Sequence, residues 1–94
     1  MRQGTEAGAS PLAELLRAAQ LPPVAERRRI RKESGVSLRR MAEELGVTTP
    51  TVHNWENDGD GPSLENAVKY RRLLDQLAAI VEDRQADDDE QAAS

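Results

Sequence analysis

Four residues between Thr48 and Asn57 have side chains suited to reading a nucleic-acid groove: Thr49, Pro50, His53 and Asn54. At helical spacing they share one side of a short segment, while Val52 and Trp55 share the other and Thr51 lies near the edge. The Asn54 amide can pair bidentately with an adenine edge in a major groove, a contact that contributes roughly 1–3 kcal/mol of discrimination. Thr49 can donate to a base or a phosphate, and its methyl, like the Pro50 ring, can touch a thymine methyl group. His53 can reach a base or a phosphate. Other chemistries are poorly supplied. His53 is the only histidine and there is no cysteine, so neither a metal site nor a disulfide is expected. No serine has a base partner beyond His53, no glycine-rich loop follows a strand, and the clustered acids lie where two carboxylates would not be held at fixed separation. Catalysis, a cofactor and a small-molecule ligand are therefore not expected.

A reading helix needs a partner that fixes its angle, and the residues before it supply one. In SLRRMAEELGVTTPTVHNWE, residues 37–56, the residues Leu38, Met41, Ala42 and Leu45 recur at helical spacing and make one apolar face. Ser37 can cap the start of this helix, and Gly46 can take the positive φ at its end. Val47 offers an apolar plug, Thr48 can cap the second helix, and Pro50 falls in a first turn where a missing N–H costs little. Ala42 is small where two steeply crossing helices approach most closely.

This segment resembles the Cro and phage-repressor type helix-turn-helix family, also called the XRE family. The resemblance is carried by Ala42, Leu45, Gly46, Val47, Thr48-Thr49, Val52 and Trp55-Glu56-Asn57, and extends from about Glu26 to about Leu77. It implies an all-α, lambda-repressor-like domain of about five helices, with a short first helix and a long last one. It also implies that the helix from about Thr48 to Asn57 enters the major groove of double-stranded DNA. Base contacts are then expected from Thr49, Pro50, His53 and Asn54, and phosphate contacts from Arg39, Arg40, Thr48, Thr51 and Arg28. In the family the acid matching Glu56 pairs with an arginine of the preceding helix, the place Arg31 holds here. Trp55, Ala42 and Gly46 are expected to be structural. Two positions depart from the family pattern. Leu38 stands where a Gln or Thr often contacts phosphate, and Pro50 where many relatives carry a hydrogen-bonding side chain.

The formal charge of −4 opposes binding to phosphate until its distribution is considered. Residues 82–94 hold six acids and one base and so contribute −5, leaving +1 for the rest. The bases gather at Arg27, Arg28, Arg29, Arg31 and Lys32, at Arg39 and Arg40, and at Lys69, Arg71 and Arg72.

Along the chain, residues 1–9 are polar, without periodicity, and expected to be disordered. A domain follows over residues 10–81, with the helix-turn-helix at 37–57. Ser10-Pro11 starts a first helix bearing Leu12, Leu15, Leu16 and Ala19, which Leu21-Pro22-Pro23 ends. A second helix runs from about Val24 to Ser34, with Val24 and Ile30 as its apolar contacts, and Gly35 ends it. After a turn-rich loop at residues 58–62, Ser63 caps a long final helix. Residues 82–94 are expected as a disordered acidic tail that aids solubility, or alternatively competes with DNA for the basic surface.

On the last helix Ala67, Tyr70, Leu74, Leu77 and Val81 have the spacing of a coiled-coil seam. Either Leu12, Leu15 and Leu16 cover it in the same chain, or a second subunit does. The function expected is that of a sequence-specific transcriptional regulator, a repressor, binding as a homodimer in the cytoplasm of a bacterium. The alternative is a protein-binding adaptor or antitoxin-type partner with the same fold. No apolar run approaches membrane-spanning length.

Overall fold

The computed structural model describes residues 10–57 and 61–93, with residues 87–93 described by their backbone alone. The described residues form five helices and no strand: α1 Pro11–Ala18, α2 Val24–Glu33, α3 Leu38–Leu45, α4 Thr49–Trp55 and α5 Leu64–Ala93. The expectations for residues 1–9 and for Asp58-Gly59-Asp60 lie outside the described residues.

Each helix start that the sequence marks carries its cap. The Ser10 hydroxyl accepts from the Ala13 N–H at 3.1 Å, Ser37 from Arg40 at 3.1 Å, Thr48 from Thr51 at 3.4 Å and Ser63 from Asn66 at 3.2 Å. Gly35 and Gly46 have φ of 79° and 72°, the left-handed conformation that lets α2 and α3 end within one residue.

Ile30 of α2, Met41, Ala42 and Leu45 of α3, Val52 and Trp55 of α4, and Tyr70, Leu74 and Leu77 of α5 form one buried core. The α5 seam is thus covered within the chain, but not by the leucines of α1. Leu12, Leu15 and Leu16 remain exposed at 59%, 40% and 52%, and α1 has no buried residue. The reason is occupancy. The seam is already filled by α2, α3 and α4, so α1 lies beside Val68, Arg71 and Asp75 on a neighbouring face of α5. There the Arg71 guanidinium donates to the Arg17 carbonyl at the end of α1.

The second difference concerns the acidic end. α5 does not stop near Val81 but continues to Ala93, so the segment expected as a disordered tail is helical. Residues 82–93 contain neither glycine nor proline and include Glu, Gln, Arg and Ala, all good helix formers. Elongating an existing helix also avoids the cost of nucleating a new one.

Candidate nucleic-acid interface

α3 and α4 are joined by Gly46, Val47 and Thr48, and the Val47 N–H donates to the Ala42 carbonyl at 3.0 Å, closing the end of α3. Met41, Ala42 and Val52 are 0%, 2% and 0% exposed, so the two helices meet through side chains that leave no room for larger ones. With Val52 and Trp55 turned inward, Thr49, Pro50, His53 and Asn54 stand exposed together on the outer side of α4. Thr51 is half-buried, and its hydroxyl lies 2.7 Å from that of Thr48. These two threonines therefore serve the helix start before they can serve a phosphate.

Glu56 is buried, at 2% exposure, and ends α4. Its carboxylate accepts from Arg31 Nε at 2.6 Å and from Arg31 Nη2 at 2.9 Å, a two-pronged pair between α2 and the end of α4. Arg31 Nη1 also donates to the Val36 carbonyl at 3.0 Å, tying in the α2–α3 turn. Arg27 donates from Nε to the Pro22 carbonyl at 2.7 Å and from Nη1 to the Trp55 carbonyl at 3.0 Å. Arg28 donates to the Glu56 carbonyl. The carbonyls at a helix end have no partner within the helix, and here two of them are met by arginines from another helix. Arg29 is held on the surface of α2 by Glu26 and Glu33, each at 2.9 Å. Its hydrogen bonds hold the Glu26 carboxyl below the ordinary value and push its own guanidinium higher still.

Arg27 and Arg31 are thus internal ties of the fold, whereas Arg29 meets only acids of its own helix at the surface. Arg28 is engaged by the Glu56 carbonyl yet keeps 40% of its side chain exposed, and so stays open to a phosphate. The general signal, basic residues on a helix face, does not separate solvated or phosphate-facing arginines from those that cap a neighbouring helix. Helical spacing places Arg27 and Arg31 beside the packing face that Ile30 marks, whereas Arg28, two residues from Ile30, lies far round the helix from it.

Arg39 and Arg40 differ. Their side chains are 83% and 63% exposed and meet only acids of their own helix, Arg39 with Glu43 at 3.5 Å and Arg40 with Glu44 at 3.2 Å. Such exposed pairs are worth about 0–1 kcal/mol and yield readily to a stronger anion. The Ser37 hydroxyl takes up the Arg40 N–H, so the first turn of α3 still presents the N–H groups of Leu38 and Arg39. Leu38 itself packs half-buried against the core.

The family model described as "Helix-turn-helix" matches residues 28–77, more than half of the chain and the whole of α3 and α4. The chain belongs to the Cro/C1-type helix-turn-helix family, also called the XRE family. No curated protein and no solved structure matches it. Membership makes this an all-helical protein of a family of DNA-binding regulators. Among the described residues no helix is long and apolar enough to cross a membrane, and no group of acids and histidines could hold a metal ion.

Three features of this helix-turn-helix protein were not read from its sequence. They are the Arg27 and Arg28 caps on α4, the placement of the Arg27 guanidinium 5.8 Å from the Tyr70 ring centre, and the Trp55–Tyr70 ring pair at 5.3 Å. Each joins residues far apart in sequence, and helical periodicity carries no information about such pairs.

Proposed function

We propose that this protein is a sequence-specific DNA-binding transcriptional regulator, a repressor, that inserts α4 into the major groove and acts as a homodimer. The observation that carries the reading is the joint exposure of Thr49, Pro50, His53 and Asn54 on the outer face of a helix fixed from behind by Val52, Trp55 and Glu56. Asn54 reads an adenine, Thr49 and Pro50 supply short polar and apolar contacts, and His53 reaches a base or a phosphate. Arg39, Arg40 and the open first turn of α3 hold the phosphate backbone, with Thr48 and Thr51 beside them. Two such helices in a dimer would fall about 34 Å apart on one face of the duplex. The site of action is the bacterial cytoplasm.

Binding of a labelled duplex across a salt series tests the phosphate assignment. Arg39→Ala with Arg40→Ala should weaken binding to every sequence and make the slope of log K against log salt less negative by about 2. An unchanged slope would remove these arginines from the backbone contact.

A second reading, a protein-binding adaptor or antitoxin-type partner, is favoured by one observation, the exposed Leu12, Leu15 and Leu16 face of α1. Against it stands the polar face of α4, which an adaptor has no need to maintain.

A further inference from the structure

The outer strip of α5 is lined by Lys69, Arg72, Gln76, Ala79, Ile80 and Asp83, all exposed and spaced by three and four, with Ala79 and Ile80 side by side at its centre. The same spacing carries the strip to positions 87 and 90, where the sequence has Asp and Glu. One end of the strip is therefore basic, the other acidic, and the middle small or apolar. Among the described residues no acid lies within ion-pair reach of Lys69 or Arg72, and Ile80 is 43% exposed with nothing over it. Hollows flank Arg72 on both sides, one shared with Arg17 and Ala18 and the other with Glu44 and Leu45, so the strip is open between α1 and α3.

We propose that this strip is the dimer surface, and that its occupant is the α5 strip of a second copy, running antiparallel. Such a pair brings Lys69 opposite position 90, Arg72 opposite position 87 and Gln76 opposite Asp83, and Ala79 meets Ile80 at the two-fold axis. Each basic position then faces an acidic one, twice per dimer. A parallel pair would set base against base and acid against acid, so the charge order selects the orientation. The acidic end cannot serve its own molecule. Positions 69 and 90 are separated by about 32 Å along one continuous helix, which does not fold back on itself. This also assigns the acidic segment a part in assembly, in place of competition with DNA on its own subunit. The inference deepens the dimer of the proposed function, and it is tested without DNA so that its failure leaves the groove assignment standing.

The experiment is sedimentation of the full chain at several concentrations in low and high salt, with two charge-reversed variants. The full chain should have twice its 10.4 kDa mass at low salt and dissociate as salt rises. Lys69→Glu with Arg72→Glu, and separately Asp87→Lys with Glu90→Lys, should each be monomeric. Helical circular dichroism and Trp55 fluorescence check that both are folded. Mixed one to one, the two variants are complementary at both ends and should form a heterodimer. A full chain that stays monomeric at low salt throughout the micromolar range would overturn the proposal. So would a dimer indifferent to both reversals, or variants that fail to associate when mixed.

Discussion

In the proposed reading Asn54 carries the largest share of base discrimination among the exposed residues of α4, because only its side chain offers a donor and an acceptor in the fork that matches an adenine edge. Asn54→Ala should leave the helix content unchanged and relax preference at one base position by roughly 1–3 kcal/mol, measured by competition among duplexes that differ at single positions. Unaltered preference would take Asn54 out of the readout. Tyr70 offers a test of the core that needs no DNA. It is fully buried, and among the described residues its hydroxyl meets no hydrogen-bond partner. Burial pushes the phenol above its ordinary 10.0, the Glu56 carboxylate adds to the shift, and Arg27 and Arg31 oppose it. A group whose pKa is raised by folding contributes stability that is complete below its unfolded value and lost as pH rises through the folded one. Stability should therefore begin to fall above about pH 10, the unfolded value. Tyr70 is the only tyrosine, so tyrosinate absorbance reports it alone and should appear together with the loss of Trp55 fluorescence structure. An ordinary titration in the folded protein would contradict its burial.

At the scale of elements, the angle of α4 depends on α2 as much as on its turn with α3. Arg27 and Arg28 hold its last carbonyls and Arg31 holds Glu56, so three side chains of one helix clamp the end of the reading helix. Glu56→Ala leaves Arg31, only 11% exposed in its side chain, without its counter-charge. The expected loss is about 3–5 kcal/mol in denaturant unfolding, since removing one member of a buried pair exposes the full cost of burying the other. A loss below about 1 kcal/mol, the worth of a surface pair, would contradict this role. The sequence made the helix-turn-helix legible because its signals are local. Ser37, Gly46, Thr48 and Pro50 punctuate, and Met41, Ala42, Leu45, Val52 and Trp55 keep one period. It left the α2 arginines ambiguous because their partners are the carbonyls of residues about 28 positions away. The sequence leaves the place of the α1 leucines open for a related reason. Their stripe shows that α1 is amphipathic, but which face of α5 is still vacant depends on how α2, α3 and α4 fill it.

For the molecule as a whole, the opposed charges of one helix reconcile an acidic chain with a family that binds DNA. Arg31 is neutralised by the buried Glu56 and Arg29 by Glu26 and Glu33, Arg39 and Arg40 make only exposed pairs within their own helix, and six of the 17 acids lie in the last turns of α5. In the proposed reading, binding with so few phosphate contacts draws much of its free energy from the groove, and hence from sequence. Selection of bound duplexes from a random pool at physiological salt tests this most directly. The expected result is enrichment of an inverted repeat whose half-sites lie about one helical turn apart, with an adenine at a fixed place in each. Recovery of the pool without enrichment would contradict it and would direct attention to the leucine face of α1 and a protein partner.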